Sequence, residues 1–364
     1  MNTVACDVLV IGLGPAGGAA AAAAARLGLA VVAVDRKKEI GVPVQCAEFI
    51  PLPLLRHAQP PGVLLQKISG MNSVLPSGAA VATPFLGLMV DRAAFDQALA
   101  RSAALAGATI HVDSSMTELD AQHSSAVVRT SRGTQHIRYR LLVAADGPHS
   151  ALAARLGLPH LATVNTRQYT VPLIAPHAAT DIWLSQDYPG GYAWLFPKGR
   201  FANLGLGMDS RFAADMKSPL DALHRQLVAA GRVGGEILFR TGGAIPVGGL
   251  RRRLTHDNIL FAGDAAGLTH PITGAGIAAA VVSGERAAQA AHALLRQGDE
   301  DALADYEQDL REQFAESIAR AVARRRELER VWHTPAAGSD AVHRRGWIAY
   351  PEYFTEEATC CDVI

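Results

Sequence analysis

Cysteine is scarce in this chain: four residues in 364, namely Cys6, Cys46, Cys360 and Cys361. They form no repeated CxxC spacing and no spread framework. That excludes a disulfide-stapled scaffold and makes a reducing, cytoplasmic setting the expectation. A surplus of charge of either sign is also missing, because 34 Lys and Arg balance 34 Asp and Glu. Nothing therefore argues for nucleic acid, or for anionic surfaces in general, as a partner. Thirteen histidines are present, but none stands in an HxxxH or HxH pair beside a carboxylate, so no metal site is expected. No apolar run reaches the roughly 18 residues of a membrane span. Residues 8–34 come nearest, but Gly12, Gly14, Pro15, Gly17, Gly18 and Arg26 interrupt them and no basic segment precedes them. Neither a signal peptide nor a spanning helix is expected there; peripheral membrane contact stays open. Internal repeats are absent.

What remains is the composition of a folded enzyme, 49% hydrophobic and 19% charged, with length for two domains or one large α/β unit carrying an inserted layer. Residues 7–37 organise it. Val8-Leu9-Val10-Ile11 reads as a buried strand that turns through Gly12-Leu13-Gly14-Pro15-Ala16-Gly17 into an alanine-rich helix ending near Leu27. A second apolar run, Val31 to Val34, ends in Asp35. Strand, glycine turn, helix, strand and terminal acid form the dinucleotide-binding fingerprint. Gly12 makes the tight exit, Gly14 lets backbone approach a pyrophosphate, and Gly17 lets the helix lie close on the sheet. The helix N-terminus offers unpaired N–H groups to phosphate, and Asp35 is placed to accept from ribose hydroxyls.

Two further turns follow short apolar strands. Leu141 to Ala145 leads into Asp146-Gly147, and Ile259 to Ala262 leads into Gly263-Asp264-Ala265-Ala266-Gly267. Strand C-termini are where open α/β sheets bind ligands. Asp264 can accept from a ribityl chain, and Gly274-Ala275-Gly276 supplies backbone that a flat ring can approach. Between the turns, Asp91 caps a helix that stops at Gly107, and residues 127–139 alternate as a hairpin around Gly133. Residues 169–208 are β-rich and read as an antiparallel substrate layer. A long helix from Gly276 to Gln297 and a charged one from Asp301 to Val331 close the chain, followed by a Pro/Gly-broken tail with Trp347, Tyr350, Tyr353 and Phe354. The expected architecture is α/β: a Rossmann-type domain over 1–70, 90–165 and 255–300, an inserted antiparallel β-sheet domain over 71–89 and 166–254, and a C-terminal helical segment over 301–364.

Three separated turns in this order resemble the FAD-dependent group A flavoproteins with the p-hydroxybenzoate hydroxylase fold. Within that group the chain is most similar to the geranylgeranyl reductase family, over residues from about 5 to 300. Pro43-Val44-Gln45-Cys46-Ala47-Glu48 resembles the family's PxQCGE segment near the flavin, with Ala47 where glycine is usual. Tyr192-Ala193-Trp194-Leu195-Phe196-Pro197, followed after seven residues by Gly205-Leu206-Gly207, resembles its YxWxFP…GxG motif. The resemblance implies FAD as cofactor, NAD(P)H or another donor as reductant, and contacts to FAD from Gly12, Gly14, Pro15, Ala16, Gly17, Asp35, Arg36, Gln45, Cys46, Arg92, Asp146, Gly147, Gly263, Asp264, Gly274, Ala275, Gly276 and Ile277. It also implies a substrate cavity lined by Tyr192, Trp194 and Phe196, which alternate onto one face of a strand. From spacing alone those rings read first as sandwich core, and it is the resemblance that favours a cavity wall. Flavin halogenases share the fold, but their lysine and WxWxIP motif have no match here.

Several side chains carry two readings. Cys46 is a redox or catalytic thiol, or a small buried hydrophobe. His270 polarises the flavin or substrate, or caps its turn. The run from Arg320 to Arg330 reads as a solvated helix face, with a surface for an acidic partner as the other reading. Cys361-Asp-Val-Ile has the outward form of a prenylation box, and Cys360 and Cys361 together form a vicinal thiol pair on the tail. Three functions are carried forward: reduction of carbon–carbon double bonds in an apolar, isoprenoid-like substrate; hydroxylation of an aromatic substrate, including a peptide tryptophan, through a C4a-hydroperoxide; and a non-catalytic flavoprotein that serves a protein or peptide client.

Overall fold

The computed structural model describes residues 3–212 and 214–355; Cys360 and Cys361 lie outside the described residues. The chain divides into two compact units, one of residues 1–67, 87–163 and 241–319, the other of 68–86, 164–240 and 320 onward.

In the first unit, the strand Thr3–Ile11 (β1) has Val8, Leu9 and Val10 fully buried. Such a continuous apolar run is what a strand covered on both faces requires. It pairs in parallel with Val31–Val34 (β2) on one side and Gly133–Ala144 on the other. Thr109–His111 extends the parallel sheet beyond β2, and Ile259–Phe261 extends it beyond Gly133–Ala144. Between β1 and β2 runs the helix Pro15–Arg26 (α1), with Pro15 in its first turn where a missing N–H costs nothing. Its alanines allow a close neighbour: a Cβ on Gly284, in the helix Ile277–His292, would sit 2.1 Å from the Ala16 carbonyl oxygen. The two helices therefore meet backbone to backbone.

The second unit is built on an antiparallel sheet in which Thr163–Pro172, Phe201–Met208, Ala193–Lys198 and Ala179–Trp183 are successive neighbours, and Leu64–Val74 pairs in parallel with the last. One face carries the core: Tyr169, Ala193, Leu195, Leu204 and Leu206 pack on Leu220, Leu223 and Leu227 of the helix Lys217–Ala229. Each such leucine contributes about 1.5–3 kcal/mol by burial. The other face carries the aromatic motif.

Three expectations are corrected. Residues 241–254 belong to the first unit, and the C-terminal stretch is not a segment of its own, because residues from Arg320 on group with the sheet unit. The hairpin around Gly133 forms as expected, Ser125–Thr130 pairing antiparallel with Gly133–Ala144, and its second arm runs on without a break into the apolar run before Asp146, fully buried from Leu141 to Ala144. Arg324 and Arg325 are each only 6% exposed, not solvated. Arg325 donates from Nη1 to the Gly190 carbonyl at 2.7 Å and from Nη2 to Asp209 Oδ2 at 2.9 Å; Arg324 donates from Nε to the Tyr353 carbonyl at 2.9 Å. The Pro/Gly-broken tail buries its aromatics, with Trp347, Tyr350 and Tyr353 each 2% exposed.

Candidate functional site

Register brings the three turns of the first unit together. Ile11 is paired with Ala144, and Ala144 with Phe261, so all three strands end level and their turns leave one edge of the sheet. The Ala145 amide donates to the Ile11 carbonyl at 2.9 Å, and the Ala262 amide to the Ala144 carbonyl at 3.0 Å. Gly12 has φ +95°, open to glycine at little cost, and a Cβ there would lie 2.3 Å from the Ala145 oxygen. A Cβ on Gly17 would stand 1.7 Å from the Gly12 oxygen, whereas one on Gly14 would meet nothing within 4 Å. Gly17 thus closes the turn on itself, and Gly14 keeps space open before the first turn of α1, where Ala16 is buried and no acidic residue stands.

The Asp35 carboxylate braces that turn: Oδ2 accepts from the Leu13 amide at 2.7 Å and Oδ1 from the Lys37 amide at 2.8 Å. Arg36 beside it is exposed. Asp146 Oδ2 accepts from the Leu152 amide at 3.0 Å, while Oδ1 is buried without a hydrogen-bond partner. Gly147, at φ +85°, has open space where its Cβ would be.

The third turn is packed more tightly. Asp264 Oδ1 accepts from Thr269 Oγ1 at 2.5 Å, and burial raises the Asp264 pKa against the opposing pull of that bond and of Arg92. A Cβ on Gly276 would fall 2.6 Å from Thr269 Oγ1, so only glycine fits beside the pair. The His270 amide donates to the Ala275 carbonyl and the Gly274 amide to the His270 carbonyl, which folds residues 270–275 back on themselves ahead of Ile277, the first residue of its helix. His270 Nδ1 accepts from the Thr273 amide at 3.2 Å, which places the ring proton on Nε2. Burial holds its pKa down at about 4, so the imidazole is neutral.

Residues 43–48 are pinned to the same unit. Gln45 Nε2 donates to the Gly242 carbonyl at 2.6 Å, and Thr241 Oγ1 to the Val44 carbonyl at 2.8 Å. Cys46 Sγ accepts from the Glu48 amide at 3.2 Å and lies against the Arg92 guanidinium. Burial pushes the thiol up, and Arg92 opposes the shift. Arg92 is itself held by Asp96, Nη2 to Oδ2 at 2.8 Å, and its amide donates to Glu48 Oε1 at 3.1 Å. Asp91 caps this helix as expected, accepting from the Ala94 amide at 2.9 Å.

One residue of this region escaped the sequence reading. Arg251 is 6% exposed, donates from Nε to the Ala265 carbonyl at 2.5 Å and from Nη1 to the Pro159 carbonyl at 2.7 Å. Burial lowers its pKa while the Asp146 carboxylate works the other way. It braces the third turn beside the second. Standing in Arg251-Arg252-Arg253, it looks like surface charge, and no local pattern distinguishes it.

In the second unit, Tyr192, Trp194 and Phe196 do share a face, with ring centroids 5.7 and 6.5 Å apart in succession. Trp194 is 6% exposed and donates from Nε1 to Gln168 Oε1 at 3.1 Å. Its indole crosses the neighbouring strand at Gly205, where a Cβ would come within 2.4 Å of the ring. The glycine of the GxG triplet is thus the floor under the tryptophan. Burial lifts the Tyr192 phenol well above its usual range.

Comparison with known proteins finds related chains. A model described as geranylgeranyl reductase catalytic domain matches residues 163–243. A digeranylgeranylglycerophospholipid reductase from Methanocella arvoryzae is 34% identical over 338 residues, covering 86% of this chain and 84% of the relative. The chain belongs to the geranylgeranyl reductase family of FAD-dependent oxidoreductases. A geranylgeranyl bacteriochlorophyll reductase-like protein from Thermoplasma acidophilum superposes with TM-score 0.86 at 27% identity, covering 95% of this chain and 92% of that one. The p-nitrophenol 4-monooxygenase of Pseudomonas putida, at TM-score 0.76 and 16% identity over 95% of each chain, shares the fold.

The first unit's residues fit the family's FAD: the open space beside Gly14 and Gly147 and the buried Asp146 Oδ1, which has no hydrogen-bond partner in the protein, suit a polar dinucleotide. Among the described residues no helix is long and apolar enough to cross a membrane, and no group of three or more His, Cys, Asp or Glu is placed to hold a metal.

Proposed function

We propose that this reductase-family protein saturates carbon–carbon double bonds of an isoprenoid lipid. The observation that carries the reading is the aromatic face built on Trp194 and Gly205, which lies inside the span matched by the reductase catalytic domain. A row of edge-on and tilted rings with one buried polar tie suits a chain that offers only methyl, methylene and double-bond carbons.

Bound FAD, once reduced by NAD(P)H or another donor, supplies the hydride. The residues of this chain do the rest. Gly12, Gly14, Pro15, Ala16 and Gly17 with the start of α1 hold the pyrophosphate, and Asp35, flanked by Arg36, holds the ribose. Asp146, Gly147, Gly263, Asp264 and the backbone of Gly274, Ala275, Gly276 and Ile277 hold the ribityl and ring end, with Gln45 and Arg92 fixing residues 43–48 beside it. Tyr192, Trp194 and Phe196 line the hydrocarbon and keep water from it. Saturating a double bond needs a proton at the second carbon. Cys46, kept as a thiol at neutral pH by burial, is the proton source we assign beside the flavin end, and the Arg92 guanidinium against it would steady the thiolate left behind. His270, neutral with its proton on Nε2, donates a hydrogen bond to the ring or substrate. On this reading the enzyme works in a reducing cytoplasm, with no nucleic-acid partner, at the surface of the membrane that carries its lipid.

The test is an anaerobic turnover of enzyme reduced with NADPH, NADH or dithionite on a digeranylgeranyl glycerophospholipid, followed by mass spectrometry. The expected product gains two hydrogens per double bond. A product that forms only in oxygen and gains an oxygen atom would instead establish the hydroxylase reading. A flavin that no substrate reoxidises would leave the non-catalytic one.

A further inference from the structure

Pairing across the second unit's sheet sets one row of residues on one face. Ser73 is opposite Ile182, Ile182 opposite Trp194, Trp194 opposite Gly205, and Gly205 opposite Gln168. Side chains directly opposite one another share a face. The indole of Trp194 runs toward the Gln168 end of this row. Its other end, at Ser73, is occupied from the C-terminal stretch: Trp347 donates from Nε1 to Ser73 Oγ at 2.9 Å, and the Tyr350 hydroxyl donates to the Ser73 carbonyl at 3.4 Å.

Trp347 also meets the aromatic motif edge-on, its ring centroid 4.8 Å from that of Tyr192. The rings therefore form an unbroken series, Phe196, Trp194, Tyr192 and Trp347, of which the last comes from more than 150 positions further along the chain. This end is fastened. Asp340 accepts from the Ser77 amide at 3.0 Å and from Ser77 Oγ at 2.5 Å, and Arg345 donates to Glu327 at 2.7 Å. Ser73 is wholly buried and Trp347 is 2% exposed, so the indole has no room to swing aside.

We propose that Trp347 is a specificity-determining residue: it closes the Tyr192 end of the aromatic face and sets the length of isoprenoid chain the protein accepts. The assignment rests on the isoprenoid reading above. A fixed, hydrogen-bonded ring at the end of an apolar face rejects a longer chain by steric overlap. Removing it frees the volume of an indole, several methylenes' worth, and one methylene alone shifts discrimination by about tenfold or more.

The experiment compares Trp347→Leu and Trp347→Phe with wild type, as FAD holoenzymes, on geranyl, farnesyl, geranylgeranyl and geranylfarnesyl diphosphates. Turnover gives kcat/KM ratios between lengths, and quenching of intrinsic fluorescence gives binding ratios. Trp347→Leu is expected to raise the ratio of the longest chain to the wild-type optimum by about tenfold. Trp347→Phe, which keeps a ring and loses only the pyrrole edge, is expected to raise it by a smaller factor, about threefold. Should Trp347→Leu not fold, the phenylalanine variant decides the matter. Ratios within twofold of wild type in the folded variants overturn the assignment to Trp347 alone. A wild-type protein that reduces neither any of the four nor the digeranylgeranyl glycerophospholipid overturns the isoprenoid reading itself; one that reduces the lipid alone selects by headgroup and overturns the length assignment.

Discussion

The Trp194 indole lies directly on the backbone of Gly205, so close that a single added carbon would stand 2.4 Å from the ring. The relation predicts that Gly205→Ala destabilises the protein by about 1–3 kcal/mol, the usual cost of overpacking. The near-ultraviolet circular dichroism of the tryptophans should change with it. Combining it with Trp194→Phe should restore part of the loss, measured by thermal unfolding; strict additivity of the two would show that the residues do not press on each other.

Gly14 and Gly17 stand three residues apart at the start of α1 and should fail in opposite ways. Gly14→Val puts its side chain into open space, so the apoprotein should unfold at the wild-type temperature while affinity for FAD drops by tenfold or more, about 1.4 kcal/mol. Gly17→Ala drives a methyl to 1.7 Å from the Gly12 oxygen and should cost more than about 3 kcal/mol even without cofactor. Calorimetry of the two apoproteins, beside flavin titration, separates the roles.

Neighbouring arginines on one helix should differ sharply. Arg325→Met removes one of the two guanidiniums that hold the buried Asp209 carboxylate below its usual pKa, leaves Arg211 as the other, and should destabilise by about 1.5–3 kcal/mol. Arg326→Ala, on the exposed side, should stay within about 0.5 kcal/mol. Equal effects in urea unfolding would contradict the buried pair.

His270 predicts a pH dependence of stability. Burial lowers its pKa from 6.5 to about 4, so in that interval the unfolded chain takes up a proton that the folded chain refuses. Stability contributed by the neutral ring is complete above the unfolded value and is lost as pH falls toward the folded one. His343, buried and also shifted downward, acts in the same direction. Between about pH 7 and pH 4.5 the His270 share of the loss should be about 2 kcal/mol. His270→Gln should show a shallower decline of Tm over the same range.

Much of the flavin-binding unit was legible in the sequence because its information is local. A strand, a glycine turn and an acid at the next strand's tip are fixed within thirty residues, and β1, α1 and β2 form where that pattern puts them. The cap at Asp91 is likewise set within four positions. What could not be read depends on partners far along the chain. Arg324-Arg325-Arg326 looks like surface until Asp209 and the Gly190 carbonyl, more than 110 positions earlier, are placed beside it. Arg251 is hidden among exposed arginines for the same reason. The Pro/Gly-broken tail gave no periodic pattern to read, yet its aromatics find Ser73 and Tyr192.

The touching backbones of α1 and the helix Ile277–His292 give the abundance of alanine a mechanical meaning. With Gly284 against Ala16, the small residues act as a spacer of nearly zero thickness between two rods, and the gap sets where the tip of each rod comes to rest. Thermostabilising redesign that swells cavity-side residues would wedge this seam apart and drag the phosphate-facing tips out of line. Gains in heat tolerance for this enzyme should be sought on its periphery instead, in helix ends, loop prolines and surface charge.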